Sequence, residues 1–235
     1  MNRKFYAYSP WNFYFVLFLV AVFLLIFPLM ILIFADGVVE AFGKLGFSPA
    51  TGALLFFLSL IGSMINIPVK EIDSEEQIVQ VPKTSAFGVT YVLPQLSNTK
   101  TIVALNVGGG LIPIFIAIYE VIRISRLDFA ALFSLVAATI VVALVTHFFA
   151  KPIRGVGIAI PFLIPPIITV VATLLLGKSM HPAIAYVSGT IGTLIGADLS
   201  NLNKISSLGA PVASIGGAGT FDGIFLAGIL SVLLI

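Results

Sequence analysis

The chain has 235 residues, of which 59% are hydrophobic and only 9% charged, and its mean hydropathy is +1.16. Soluble domains lie nearer ~45–50% apolar and ~25% charged, and a chain this short must still expose much of its surface. A soluble enzyme, a disordered chain and a nucleic-acid-binding domain are therefore excluded, and a polytopic membrane protein remains.

The other bulk properties narrow the chemistry. A net charge of +2 offers no basic field, and the absence of cysteine removes disulfides, thiolate metal sites and thiol nucleophiles. His147 and His181 are far apart in sequence and the carboxylates are few, so neither a metal nor a cofactor is expected.

At roughly 20 residues per crossing, the sequence predicts about seven transmembrane helices, near 13–35, 49–67, 101–122, 129–150, 156–177, 182–199 and 212–235. The expected fold is one all-α integral membrane domain over 1–235, with some helices broken by glycine or proline. The first run follows Arg3 and Lys4, is too long for a signal segment and has no A-x-A site after it, so it reads as a retained span. The hydrophilic stretch 69–100 opens with Glu71, Asp73, Glu75 and Glu76, then holds β-prone runs at 77–81 and 87–93. It predicts a connecting loop with a small β-hairpin; the sharper alternative is a strand edge that receives an extended peptide. The fifth span carries Pro161, Pro165 and Pro166 and must kink or break.

Basic residues favour the cytoplasmic side. With the N-terminus and the 69–100 loop inside, Arg3, Lys4, Lys70, Lys83, Lys100, Lys151, Arg154 and Lys204 are internal, against Lys44, Arg123, Arg126 and Lys178 outside. Arg123 and Arg126 dissent from that orientation.

Two stretches look alike. Leu60-Ile61-Gly62-Ser63-Met64 resembles Leu194-Ile195-Gly196-Ala197-Asp198, and 103–110 resembles 212–219 with one gap. They suggest an internal repeat, 50–122 and 182–235, with each copy ending in a glycine run that opens a helix. Each glycine weakens a helix by roughly 1 kcal/mol relative to alanine. Asn106, Gly108 and Gly109, and Pro211, Gly216, Gly217, Gly219 and Gly223, are thus candidate helix breaks or substrate-binding positions. The plainer reading is close helix packing, which also suits Gly192 with Gly196, and Gly223 with Ala227 and Ser231.

Asp198 and Asp222 are the most informative residues. A mid-helix carboxylate costs roughly 2.5–3.5 kcal/mol in a membrane and usually faces a bundle interior or a cavity. Asp36, Glu40, Glu120 and Asp128 sit near predicted span ends and read as surface charges. Asp198 and Asp222 fall on one antiparallel hairpin, toward its cytoplasmic side. Two close carboxylates share a proton, so that one can deprotonate water while the other donates to a carbonyl oxygen. Ion or proton coupling, and separate structural roles, are the competing readings.

The runs 62–68 and 106–113 and, above all, 209–223 resemble a prokaryotic membrane-protein family known only as a domain of unknown function. That resemblance implies a prokaryotic cell membrane and a fold. Phe221-Asp222 and Gly196-Ala197-Asp198 also resemble, more weakly, the aspartate motifs of presenilin-like intramembrane aspartyl proteases, although Phe-Asp stands here on the later helix. That likeness implies a catalytic pair Asp198 and Asp222. The leading expectation is therefore an intramembrane aspartyl protease-like protein acting on a membrane-spanning peptide. A small secondary transporter or ion-coupled permease for a solute or ion is the alternative, and a non-catalytic membrane scaffold the third. The lipid bilayer is a partner in all three.

Overall fold

The computed structural model describes residues 10–73, 77–84, 90–97, 100–153, 157–207, 210, 212–217 and 223–235. It is mainly helical. The helices are α1 (Pro10–Lys44), α2 (Pro49–Gly62), α3 (Ile112–Leu127), α4 (Ala131–Phe149), α5 (Ile164–Leu176), α6 (His181–Thr193) and α7 (Gly223–Leu233). A π-helical turn, Val107–Leu111, leads into α3. Another, Leu194–Asp198, and a 3-10 helix, Leu199–Ser207, extend α6.

Among the described residues, four helical stretches are long and apolar enough to cross a membrane: Phe13–Lys44, Val107–Leu127, Ala131–Phe149 and His181–Ser207. The helices α2, α5 and α7 are apolar but shorter. Four of the expected spans are cut by strands. The second ends at Gly62 rather than running to 67, because β1 (Asn66–Asp73) follows it. The third begins as β4 (Lys100–Asn106), the fifth as β6 (Gly157–Ala159) and the seventh as β7 (Val212–Ile215). The proline-rich start of the fifth lies before α5, with Pro165 and Pro166 in its first turn, where missing N–H groups cost nothing.

Long-range contacts define two ends of the bundle. At one, Lys44 Nζ donates to the carbonyls of Val232 and Leu233 (3.4 and 3.2 Å), Arg123 donates to the Leu45 carbonyl, and Ser179 donates to Asp128. At the other, His147 meets Ser200 at 2.7 Å, and all the strands gather. Successive helices therefore alternate in direction, with α4 and α6 parallel neighbours. The end with the strands is called the sheet end below.

Three separate sheets occur among the described residues. In the main one the order is β1-β4-β7, with β1 antiparallel to β4 and β7 parallel to it. The hydrophilic loop forms the expected hairpin, β2 (Gln77–Thr84) against β3 (Thr90–Ser97). A short hairpin pairs β5 (Lys151–Ile153) with β6.

The core is assembled around α6, whose residues Ala183–Thr190 are all buried. Its small residues admit close neighbours, as expected where helices pack by contact rather than by hydrophobic exclusion. A Cβ on Gly192 would stand 2.7 Å from Val142 of α4, and one on Gly196 would stand 1.9 Å from Thr146 Oγ1. By contrast, Phe13–Ile33 of α1 is almost wholly exposed and offers its side chains to lipid. Only its last turns join the core, through Val38, Ala41 and Phe42.

Asp128 fastens the end opposite the sheet. Its carboxylate accepts from the Ala130 and Ala131 amides (3.1 and 3.3 Å) at the start of α4, and from Ser179 in the α5–α6 connection. The Ser179 hydroxyl chiefly holds its pKa below the ordinary carboxylate value; desolvation opposes this, and the two amides add to the lowering. This contribution is present above the unfolded-state pKa and is lost as pH falls through the lowered folded-state one. Thermal unfolding in detergent at pH 7 and pH 3 should show an acid-induced drop in Tm that is smaller in Asp128→Ala.

Candidate functional site at the sheet end

The two similar stretches of sequence lie side by side. In the β4–β7 ladder Ile102 pairs with Val212, Val103 with Ala213, Ala104 with Ser214 and Leu105 with Ile215. Each strand then runs into a glycine break. Gly216 and Gly217 have φ of 85° and 93°, in the left-handed region that suits glycine. The breaks touch: a Cβ on Gly109 would lie 2.0 Å from the Gly216 carbonyl oxygen, and one on Gly216 would lie 2.5 Å from the Gly110 nitrogen. Gly108 is pressed equally hard on the end of α2, where a Cβ would stand 1.8 Å from the Ser59 carbonyl oxygen.

Asn106 locks this crossing. It is fully buried, and its Oδ1 accepts from the Gly109 amide at 2.8 Å, so it caps the π-helical turn. Its Nδ2 donates to the Ser63 carbonyl (2.7 Å) and to Asn66 Oδ1 (3.1 Å), tying the end of β4 to α2 and β1. Ser214 of β7 joins the same node, with its Oγ 2.6 Å from both Asn66 Oδ1 and the Gly217 carbonyl. Thr101 fastens the other end of β4 by donating to the Ala210 carbonyl at 2.8 Å.

Asp198 ends the π-helical turn below α6 and is half-buried. That turn leads directly into the 3-10 helix, whose Leu202 and Ile205 pack on Val103, Ala213, Ile158 and Ile215 in a small second core. Between the 3-10 helix and the sheet lies a cavity of about 560 Å³. Lys70 and Ile72 of β1, Val103 of β4, Ile215 of β7, and Leu199 and Asn203 line it. Asp222, Pro211 and Gly219 lie outside the described residues. Gly223, the first residue of α7, stands where an added Cβ would meet Ile160 at 3.8 Å, just beyond β6. β6 in turn packs on the Asp198 turn, so Gly223 and the start of α7 lie at the sheet end.

A family model described as a protein of unknown function, DUF1614, matches residues 60–234. The chain belongs to this family. The DUF1614 match begins in the last turn of α2, so it takes in the sheet, both glycine breaks, Asp198 and Asp222, and leaves out α1. No curated protein and no solved structure matches the chain.

One ionisable residue of the DUF1614 chain departs from its sequence reading. Glu120, expected at the surface, is fully buried. Its Oε1 pairs with Arg123 at 3.2 Å, while Oε2 has no hydrogen-bond partner among the described residues. The reason is register. The first residues of the expected third span form β4, so the helix starts later and runs on to Leu127, carrying Glu120 inward. Arg123 is explained at the same time: it serves Glu120 and the Leu45 carbonyl inside the fold rather than marking a cytoplasmic loop. Sequence reasoning also missed the pairing of His147 with Ser200, 53 residues apart, for which no spacing signal exists.

Proposed function

We propose that the chain is an intramembrane aspartyl protease-like protein whose sheet end receives an extended segment of a membrane-spanning peptide, with Asp198 and Asp222 as its carboxylates. The observation that carries this reading is the gathering, at one end of the bundle, of the Asp198 turn, the start of α7 at Gly223 and a three-stranded sheet facing the 560 Å³ cavity. Among the described residues both outer strands, β1 and β7, pair only with β4, which leaves each an edge for a further strand. Such an edge suits a peptide that must leave its helix before its backbone can be cut. One carboxylate takes a proton from water as it attacks the carbonyl carbon. The other donates to the carbonyl oxygen; as the tetrahedral intermediate collapses, the first returns its proton to the leaving nitrogen and the second regains one from a hydroxyl, releasing an amine and a carboxylic acid.

Helix length favours this reading over the permease. A transporter built on broken helices holds its site near the middle of the membrane. Here the stretch from Val107 to Leu127 has 21 residues. At 1.5 Å per residue that is about 31 Å, the full thickness of a hydrocarbon core. The break at Gly108–Gly110 therefore falls at one face, where water for hydrolysis is available. With the N-terminus cytoplasmic, that face is the cytoplasmic one.

The test is cleavage of membrane-spanning peptides by purified protein in liposomes. Asp198→Asn and Asp222→Asn should each abolish cleavage while leaving Tm near that of the parent. If the parent cleaves nothing and Asp222→Asn instead loses ion-dependent solute uptake, the permease reading replaces this one.

A further inference from the structure

We propose that the outer side of the α4–α6 pair is a binding site for an anionic phospholipid, separate from the sheet-end cavity. A groove of about 330 Å³ runs between the two helices. Ile140, Ala143 and Leu144 of α4 wall it on one side and Ile195 on the other, with Gly196 between. Ile140, Leu144 and Ile195 are exposed on the flank of two helices long enough to cross a membrane, so the groove opens to lipid and not to water. At roughly 30 Å³ for a water-sized group, and a methylene is of similar bulk, the space takes about ten such groups, as an acyl chain would supply.

Apart from Thr139, whose hydroxyl donates within α4 to the Leu135 carbonyl at 2.8 Å, the polar groups of the groove lie at its sheet end. His147, in the last turn of α4, and Ser200, in the 3-10 helix, close it there. Their hydrogen bonding fixes the imidazole. Ser200 Oγ donates its one proton to the Gly196 carbonyl at 2.6 Å. The 2.7 Å contact with His147 must then be made by an Nδ1–H donating to Ser200 Oγ. Nδ1 is thus satisfied by the protein, and Nε2 is the ring atom left for an outside partner: an acceptor in the neutral ring, and a donor to phosphate in the imidazolium. In this tautomer His147 cannot take the Ser200 proton, so the pair is a recognition element and not a nucleophile with its base.

The charges nearest in the chain are two lysines, Lys151 and Lys204, and one carboxylate, the half-buried Asp198 two residues before Ser200. Lys151 is exposed four residues after His147, at the start of β5, and β5 packs against the 3-10 helix that carries Lys204. Lys204 Nζ rests on Asn201 Oδ1 at 2.8 Å. The acidic Glu71 of the same end is already paired with Lys100 at 3.2 Å. An apolar slot in the membrane flank, ending in imidazole and ammonium groups at the membrane face, matches an acyl chain below a phosphate headgroup. Basic pockets of this kind between transmembrane helices favour anionic over zwitterionic lipid.

Native mass spectrometry of the full detergent-purified chain, offered equal amounts of dioleoyl phosphatidylglycerol and dioleoyl phosphatidylcholine, tests the site. The parent should retain phosphatidylglycerol several-fold over phosphatidylcholine. His147→Ala combined with Lys151→Ala should bring that ratio close to one. Ala143→Phe, which fills the groove, should remove retention of both lipids. Leu144→Asn, on the exposed rim where folding is not at stake, should weaken both. Equal retention of the two lipids by the parent, or an unchanged ratio in the histidine–lysine variant, would overturn the proposal. So would wild-type retention in both groove variants.

Discussion

Replacing Gly108 by alanine is expected to destabilise the protein by more than about 4 kcal/mol, a size reserved for severe steric or buried-charge defects. The added Cβ would stand 1.8 Å from the Ser59 carbonyl oxygen and 2.3 Å from the Ser63 nitrogen. Both are backbone atoms at the end of α2, so no rotamer change relieves the clash and α2 itself must move. Moving α2 also pulls the Ser63 carbonyl from Asn106, leaving one of its amide protons unserved in a buried site. Gly109→Ala should be comparably damaging, because its Cβ would strike the Gly216 carbonyl at 2.0 Å. Gly43→Ala is the control. Nothing lies within 4 Å of its Cβ, and in the last turn of α1 the change should gain less than the roughly 1 kcal/mol of a helix interior. Thermal unfolding of the three variants in one detergent separates these outcomes. Equal Tm values for Gly43→Ala and Gly108→Ala would mean that α2 and the π-helical turn do not touch.

The second large effect concerns Glu120 and Arg123. Arg123→Leu removes the partner of a fully buried carboxylate and the donor to the Leu45 carbonyl together. Breaking a buried pair from one side costs about 3–5 kcal/mol, because the remaining charge has lost its compensation. Replacing both members by apolar residues is far milder, since the desolvation cost of both charges disappears as well. The double variant Glu120→Leu with Arg123→Leu should therefore recover most of the stability that Arg123→Leu loses. A double-mutant cycle from unfolding in mixed micelles reads the coupling directly. If the double variant is as unstable as the sum of the singles, the pair is not coupled and the Leu45 contact alone accounts for the loss.

Much of the architecture is written in apolar length. The fourth span, expected at 129–150, is the helix Ala131–Phe149, and the polar 69–100 stretch contains the expected hairpin. The strands at the membrane face were hidden. Ile102-Val103-Ala104-Leu105 and Val212-Ala213-Ser214-Ile215 are short apolar runs followed by glycine. Hydrophobic periodicity cannot tell such a run in a strand from the first turn of a buried helix. The misplaced start of α3 then misplaced Glu120, since a residue's depth in the membrane is counted from the helix end. The likeness of the two glycine runs was legible, but their contact was not. Contact depends on parallel pairing across the whole domain, which no local pattern encodes. His147 and Ser200 meet for a similar reason: α4 and α6 are parallel neighbours because α5 runs back between them in the chain.

The same pairing has a consequence for biogenesis. β4 lies at Lys100–Asn106 and its partner β7 at Val212–Ile215, so α3 to α6 must be synthesised between them before the ladder can close. Until then β4 has only β1, its other edge is open, and the glycines of the α3 entrance face nothing. The first six helices can insert and pack while this end is unfinished. Arrival of β7 is then the event that closes the ladder and brings the two glycine breaks into contact.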